Sequence, residues 1–80
     1  MNKDLMAQAA MSIRVNVEKQ LQQMLTLEAA MQKDEQRLSE TYLENAINAA
    51  RNQIVYLNNI SMKLVGYDRM RQIEEGIRGE

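Results

Sequence analysis

Apolar residues recur along this chain at alternating steps of three and four positions, and they do so in two separate stretches. Such spacing places apolar side chains on one face of an α-helix. The pattern therefore predicts two long amphipathic helices. The first stretch, which Leu21 widens and Gln20 interrupts, contains Ala10, Ile13, Val17, Met24, Leu27 and Met31. The second, interrupted at Ser61, contains Leu43, Ile47, Ala50, Ile54, Leu57 and Leu64.

The two stripes do not share one helical phase. Continuing the first stripe leads to Thr41 or Tyr42 instead of Leu43, and residues 32–37 include no apolar side chain. Ser39 suits the N-cap of a new helix, and residues 41–44 fit the capping-box pattern. The sequence therefore favours a helical hairpin over the alternative of one continuous helix with a stutter in its heptads.

We expect helix 1 over about residues 4–33, a turn over about 34–40 and helix 2 over about 41–65. No proline occurs, and the first glycine is Gly66, which we expect to end helix 2. The tail over residues 66–80 is either a short third helix or a frayed end. As a helix, it would place Met70, Ile73 and Ile77 on one side.

These elements define the predicted fold class, which is all-α. It is an antiparallel hairpin of two long helices with a short C-terminal helix or frayed tail, in one domain over residues 1–80. Each helix of a hairpin buries only one face, and chains of this size usually need staples or association to be stable. The chain has no cysteine. We therefore expect it to associate into a larger helical assembly.

A second stripe on helix 2 indicates where a partner would bind. It lies one position before the core stripe, on a distinct flank of the helix. Small alanines allow close approach of another helix, and tyrosine is enriched at interface hot spots. The alternative is that this flank only widens the intramolecular core. The candidate partner-binding residues are Tyr42, Ala46, Ala49, Tyr56, Ile60 and, on the extension of the stripe, Tyr67.

Composition narrows the chemistry. The absence of histidine and cysteine removes the common metal ligands and nucleophile systems, and the glycines all follow residue 65, so no phosphate loop is expected. We expect no catalytic site, no metal, no cofactor and no small-molecule substrate. Ten basic and 11 acidic residues give a net charge of −1. That balance disfavours nucleic-acid binding, which would be recognised by a steep salt dependence.

The start of the chain has one basic residue, Lys3, among its first five, and no apolar run follows it. We therefore expect no secretory signal. No stretch approaches the roughly 20 apolar residues that span a bilayer. The expected location is the cytoplasm, with no membrane association.

The segment Leu43-Glu44-Asn45-Ala46-Ile47-Asn48-Ala49-Ala50, followed by Ile54, Tyr56 and Leu57, resembles helix 2 of the small E-type co-chaperones of bacterial type III secretion needle proteins. The resemblance covers about a quarter of the chain. It implies a cytosolic, non-catalytic hairpin that stabilises a helical-repeat chaperone and helps to keep the needle subunit monomeric. From the residues alone, a homodimeric four-helix bundle acting as an adaptor or regulator is the alternative.

Overall fold

The computed structural model describes residues 2–33 and 37–79. Within these residues it contains three α-helices and no strand: α1 (Lys3–Lys33), α2 (Arg37–Val65) and α3 (Tyr67–Arg78). The long helices α1 and α2 pair as an antiparallel hairpin, and α3 folds back onto α1. The predicted all-α hairpin with a short C-terminal helix is confirmed. Residues 67–78 form a helix and not a frayed tail.

The predicted start of helix 2 is wrong. Helix α2 begins at Arg37, so residues 39 and 41 lie inside it and not at its N-cap position. Residues 37–40 contain no helix breaker, and serine or threonine is only mildly unfavourable within a helix. The first half of the predicted turn, residues 34–36, lies outside the described residues.

Helix α1 begins with a side-chain cap. The Oδ1 atom of Asn2 accepts hydrogen bonds from the backbone N–H groups of Asp4 (2.9 Å) and Leu5 (3.4 Å). An asparagine at this position satisfies amides that have no partner within the helix. The cap fixes the helix start at Lys3, one residue before the predicted start.

The predicted core stripe of α2 is correct. Leu43, Ile47 and Ala50 are buried, and Ile54, Leu57 and Leu64 are half-buried. Ser61, which interrupts the stripe, is also completely buried. Its hydroxyl donates a 2.9 Å hydrogen bond to the carbonyl of Leu57, so the buried polar group is satisfied within its own helix.

The predicted core stripe of α1 is only partly correct. Ala10 and Val17 are buried, and Leu21, Met24 and Met31 are half-buried, but Ile13 and Leu27 are exposed. The buried set instead includes three residues outside the predicted stripe: Ala7, Met11 and Val15. The physical reason for the exposure of Ile13 is that the first half of α1 packs against two helices, which moves its buried arc toward α3.

The junction of the three helices is the centre of the core. Ala7 and Met11 of α1 meet Met70 and Ile73 of α3, so the apolar side predicted for the third helix is confirmed. The residues that pack around this cluster are Leu64, Val65 and Ile77. Helix α3 therefore closes one side of the hairpin.

A single residue, Gly66, connects α2 to α3. Its N–H group donates to the carbonyl of Met62 (2.9 Å) and its carbonyl accepts from Met70 (3.1 Å), so it ends one helix and starts the next. The predicted end of helix 2 is confirmed. Gly66 has φ 82° and ψ 169°, a backbone conformation that is essentially restricted to glycine.

The same substitution at two glycines should have opposite effects on stability. A Cβ at Gly66 or Gly76 would meet no atom within 4 Å, so only the backbone differs. We expect Gly66→Ala to lower the unfolding free energy by about 1–3 kcal/mol. Gly76→Ala, within α3, should raise it by about 0.5–1 kcal/mol. Urea titrations followed by circular dichroism measure both. Equal effects would contradict the role of the Gly66 backbone.

The buried arc of α1 can be tested by two alanine substitutions. Met11 is fully buried at the three-helix junction, whereas Leu5 is 60% exposed on the same helix. We expect Met11→Ala to cost about 2–5 kcal/mol of unfolding free energy. Leu5→Ala should change it by less than about 0.5 kcal/mol. Comparable losses in the two variants would show that α3 does not cover Met11.

Candidate protein-binding face

The flank of α2 proposed to bind a partner is exposed along its length. Tyr42 is 79% exposed, Tyr56 63% and Ile60 49%, and the two alanines between the tyrosines, Ala46 and Ala49, are exposed as well. The structure therefore contradicts the alternative that this flank widens the intramolecular core. A row of tyrosine, isoleucine and alanine side chains instead faces outward.

Tyr67 does not extend this row. The backbone turns at Gly66, so Tyr67 is the first residue of α3 and no longer follows the helical phase of α2. Its side chain is exposed, and its hydroxyl accepts a hydrogen bond from Arg71 Nη1 (3.1 Å). The Arg71 guanidinium lies 5.9 Å from the ring centroid. The prediction that Tyr67 lies on the extension of the flank is wrong for this geometric reason.

Helix α1 contributes a matching row. Ile13 and Leu27, both about half exposed, lie about 120–180° around the helix from the side that contacts α3. Both helices are right-handed, but their chains run in opposite directions. On each helix, the residue immediately before one that contacts the other helix is therefore turned toward the same face of the pair. Leu27 and its neighbours on α1 thus share a face with the tyrosine row of α2, opposite α3.

We call this surface the uncharged face. Half-buried Met24 and Met31 lie between its two rows. Charged residues make up 26% of the chain, yet none of the residues on this face is charged. The first charge on the α2 side is Lys63, about one turn beyond Ile60. The exposed members are Ala9, Ile13, Asn16, Gln20, Gln23 and Leu27 of α1, and Tyr42, Asn45, Ala46, Ala49, Gln53, Tyr56 and Ile60 of α2.

Ion pairs gather on the opposite side, where α3 meets α1. At one end, Arg69 donates from Nε and Nη2 to the two carboxylate oxygens of Asp4, at 2.6 and 2.9 Å. Gln8 donates to the same carboxylate at 2.7 Å. The hydrogen bonds from Arg69 and Gln8 lower the pKa of Asp4 to about 2.

A second group of ion pairs joins the other end of α3 to α1. Arg14 contacts Glu18 (2.7 Å) and Glu74 (3.0 Å), and Arg78 contacts Glu74 (2.9 Å) and Glu18. Partial burial acts to raise the pKa of Glu74, but hydrogen bonds from Arg78 and Arg14 outweigh it, and the pKa is lowered. The lowered pKa favours the ionised form of Glu74, and opposite charges alternate along this junction.

The Asp4–Arg69 pair predicts a loss of stability in acid. The pKa of Asp4 falls from its usual 3.8 to about 2 on folding, so the folded state binds this proton more weakly. Its stabilising contribution is complete above about pH 4 and is lost as the pH falls toward 2. The urea midpoint of the wild type should fall over that range, and we expect a smaller fall in Asp4→Asn.

A matched substitution separates this effect from a general loss of acidic groups. Asp68 is exposed at the start of α3 and makes no ion pair among the described residues. Asp68→Asn should keep the wild-type acid profile. If Asp4→Asn also kept it, the Asp4–Arg69 contact would not contribute to the folded state in solution.

An open groove lies on the side of the hairpin that carries α3. This groove, of about 400 Å³ between α1 and α3, is lined by Gln8, Ser12, Arg69, Gln72, Ile73, Gly76 and Ile77. These residues supply amides, a hydroxyl and a guanidinium already paired with Asp4, but no base beside the hydroxyl. Among the described residues no cluster of acids could hold a metal ion. No described helix has the length and apolar character needed to cross a membrane.

Comparison with protein-family models, with curated proteins and with solved structures finds no match to this chain. The uncharged face must therefore be interpreted from its own geometry and composition.

Proposed function

We propose that this chain is a non-catalytic protein-binding module that receives the helices of another protein on its uncharged face. The observation that supports the proposal is the row of exposed tyrosine and aliphatic side chains on α2, joined by Ile13 and Leu27 of α1. Exposed apolar surfaces of this extent in a small protein typically mark interaction sites. Tyrosine supplies a large contact area with a polar tip, and alanine permits close approach of a helix.

The more specific proposal is a type III secretion co-chaperone. In that role the chain stabilises a helical-repeat chaperone in the cytoplasm and helps to keep the needle subunit monomeric before export. Its support is the resemblance of residues 43–57 to the E-type co-chaperones. Within that segment, Leu43 and Ile47 serve the core, whereas Ala46, Ala49 and Tyr56 are exposed and free to contact a partner.

The mode of recognition follows from the partner that this role implies. A needle subunit assembles through helix packing, and a helical-repeat chaperone presents stacked helices. Apolar helical surfaces of both kinds can be covered by an amphipathic helix pair. A module of this type needs a stable helical face and no reactive group.

The proposal predicts that genes for a helical-repeat protein and a small helical subunit lie beside the gene for this chain, and it can be tested by co-expressing the three proteins. We expect a stable complex that co-purifies. Tyr56→Glu should weaken binding by about 30-fold, the loss of about 2 kcal/mol that an interface hot spot typically carries. Isothermal titration with the purified helical-repeat protein measures the difference.

The adjacent residue provides the control. Val55 is 53% exposed, close to Tyr56 in exposure, but it lies about 100° away around α2 and outside the uncharged face. Val55→Glu should bind within about threefold of the wild type, since surface substitutions away from a contact change free energies by about 0.5 kcal/mol. Both variants should keep the wild-type helical content. Absence of any complex, or equal losses in both variants, would contradict the proposal.

A further inference from the structure

We propose that, in the free chain, a second copy of this protein covers the uncharged face and completes a four-helix arrangement of the two hairpins. The proposal concerns the state of the protein before it meets another partner. It is carried by the charge pattern, by the size of the face and by the position of α3.

The charge pattern favours pairing of two copies. In a two-fold symmetric interface the same patch lies on both subunits, so a charged residue near the axis meets its own copy. Like charges placed together in an interface are destabilising. Across the uncharged face, from Ala9 to Leu27 and from Tyr42 to Ile60, there is no charge that could repel its copy. Two copies can therefore approach without electrostatic conflict.

The size of the face matches what a dimer needs. From Tyr42 to Ile60 it is about 27 Å long, and two adjacent helices make it about 20 Å wide. The projected area is thus about 540 Å², about two thirds of the roughly 800 Å² of accessible surface that each partner of a standard interface buries, and the side chains that project from the two helices add to it. One added helix would fill only the groove between α1 and α2. A second hairpin covers both rows, including Leu27 and Tyr56.

The position of α3 leaves this side open. Helix α3 packs on the hairpin from the opposite side, with its apolar residues on Ala7 and Met11 and its charges paired to α1. It therefore does not obstruct the uncharged face. Half-buried Met24 and Met31, between the two rows, would become fully buried, and methionine adapts readily to such contacts.

Self-association has a consequence for binding that rests on the proposed function. If another protein uses the same face, the second copy must leave before that protein binds. Binding is then a competition between the dimer and the heteromeric complex. The pool of free chain would keep its apolar face covered until the partner displaces the copy.

Sedimentation equilibrium of the purified 80-residue chain tests the proposal. The wild type should show reversible association from monomer to dimer. Leu27→Glu on α1 and Tyr56→Glu on α2 should each raise the dimer dissociation constant at least about tenfold, because each buries a charge at the contact. Val55→Glu, at an exposed apolar position off the face, should leave it within about threefold.

Two further measurements keep the result interpretable. Circular dichroism should show wild-type helical content in every variant, since Leu27, Val55 and Tyr56 are all exposed. Leu27→Gln, which adds no charge, should weaken the dimer less than Leu27→Glu. A monomer at every concentration would overturn the proposal, and so would a dimer that the face variants leave intact.

The outcomes also separate this proposal from the proposed function. A monomeric chain that binds the helical-repeat protein through Tyr56 overturns self-association and leaves the function standing. A dimer sensitive to Leu27→Glu and Tyr56→Glu that fails to bind the helical-repeat protein supports self-association and removes the function. Since the chain has no cysteine, Val55→Cys allows specific labelling off the face. Energy transfer between labelled copies should then fall when the helical-repeat protein is added, if both proposals hold.

Discussion

The packing of α3 against the first half of α1 decides which surfaces of this protein are buried and which are free. Met70 and Ile73 cover Ala7 and Met11, so the first half of α1 has two helical neighbours while its second half has one. Gly66 makes this contact possible because its backbone conformation reverses the chain within a single residue. The ion pairs with α1 then hold α3 on one side. The opposite side of the hairpin keeps its apolar residues exposed.

This constraint explains which parts of the fold could be predicted from the sequence. The predictions of the core stripe of α2 and of the apolar side of α3 were correct because the contact positions on each helix form a single stripe at helical spacing. The stripe of α1 failed at Ile13 and Leu27. Periodicity gives the spacing of apolar residues, but in the first half of α1, where Ile13 lies, the direction that becomes buried depends on where a third helix packs. That position follows from the backbone at Gly66, which the apolar pattern does not contain.

The candidate site was predicted in part, for a related reason. Tyr42, Ala46, Ala49, Tyr56 and Ile60 were recognisable because they form a stripe separate from the core of α2, and all are exposed. The half of the face on α1 was not predicted because the spacing of Ile13 and Leu27 places them in the core stripe of that helix. The available signal was the width of the apolar stripe on α1, which is broader than contact with a single helix requires. Tyr67 was misplaced because a helical phase cannot be continued through a glycine with positive φ.

The composition of the uncharged face fits a surface that is buried at some times and exposed at others. A permanently exposed surface usually carries charges of both signs, which keep a protein soluble. A permanently buried one is mostly apolar.

This face combines aliphatic and tyrosine side chains with Asn16, Gln20, Gln23, Asn45 and Gln53. Unpaired burial of an amide costs about 1–3 kcal/mol, whereas an unpaired charge costs several kcal/mol more. Amides are therefore compatible with water when the face is free and with another helix when it is covered. The proposed exchange between a second copy and another partner requires both states to be accessible, and the absence of charge keeps the free-energy difference between them small.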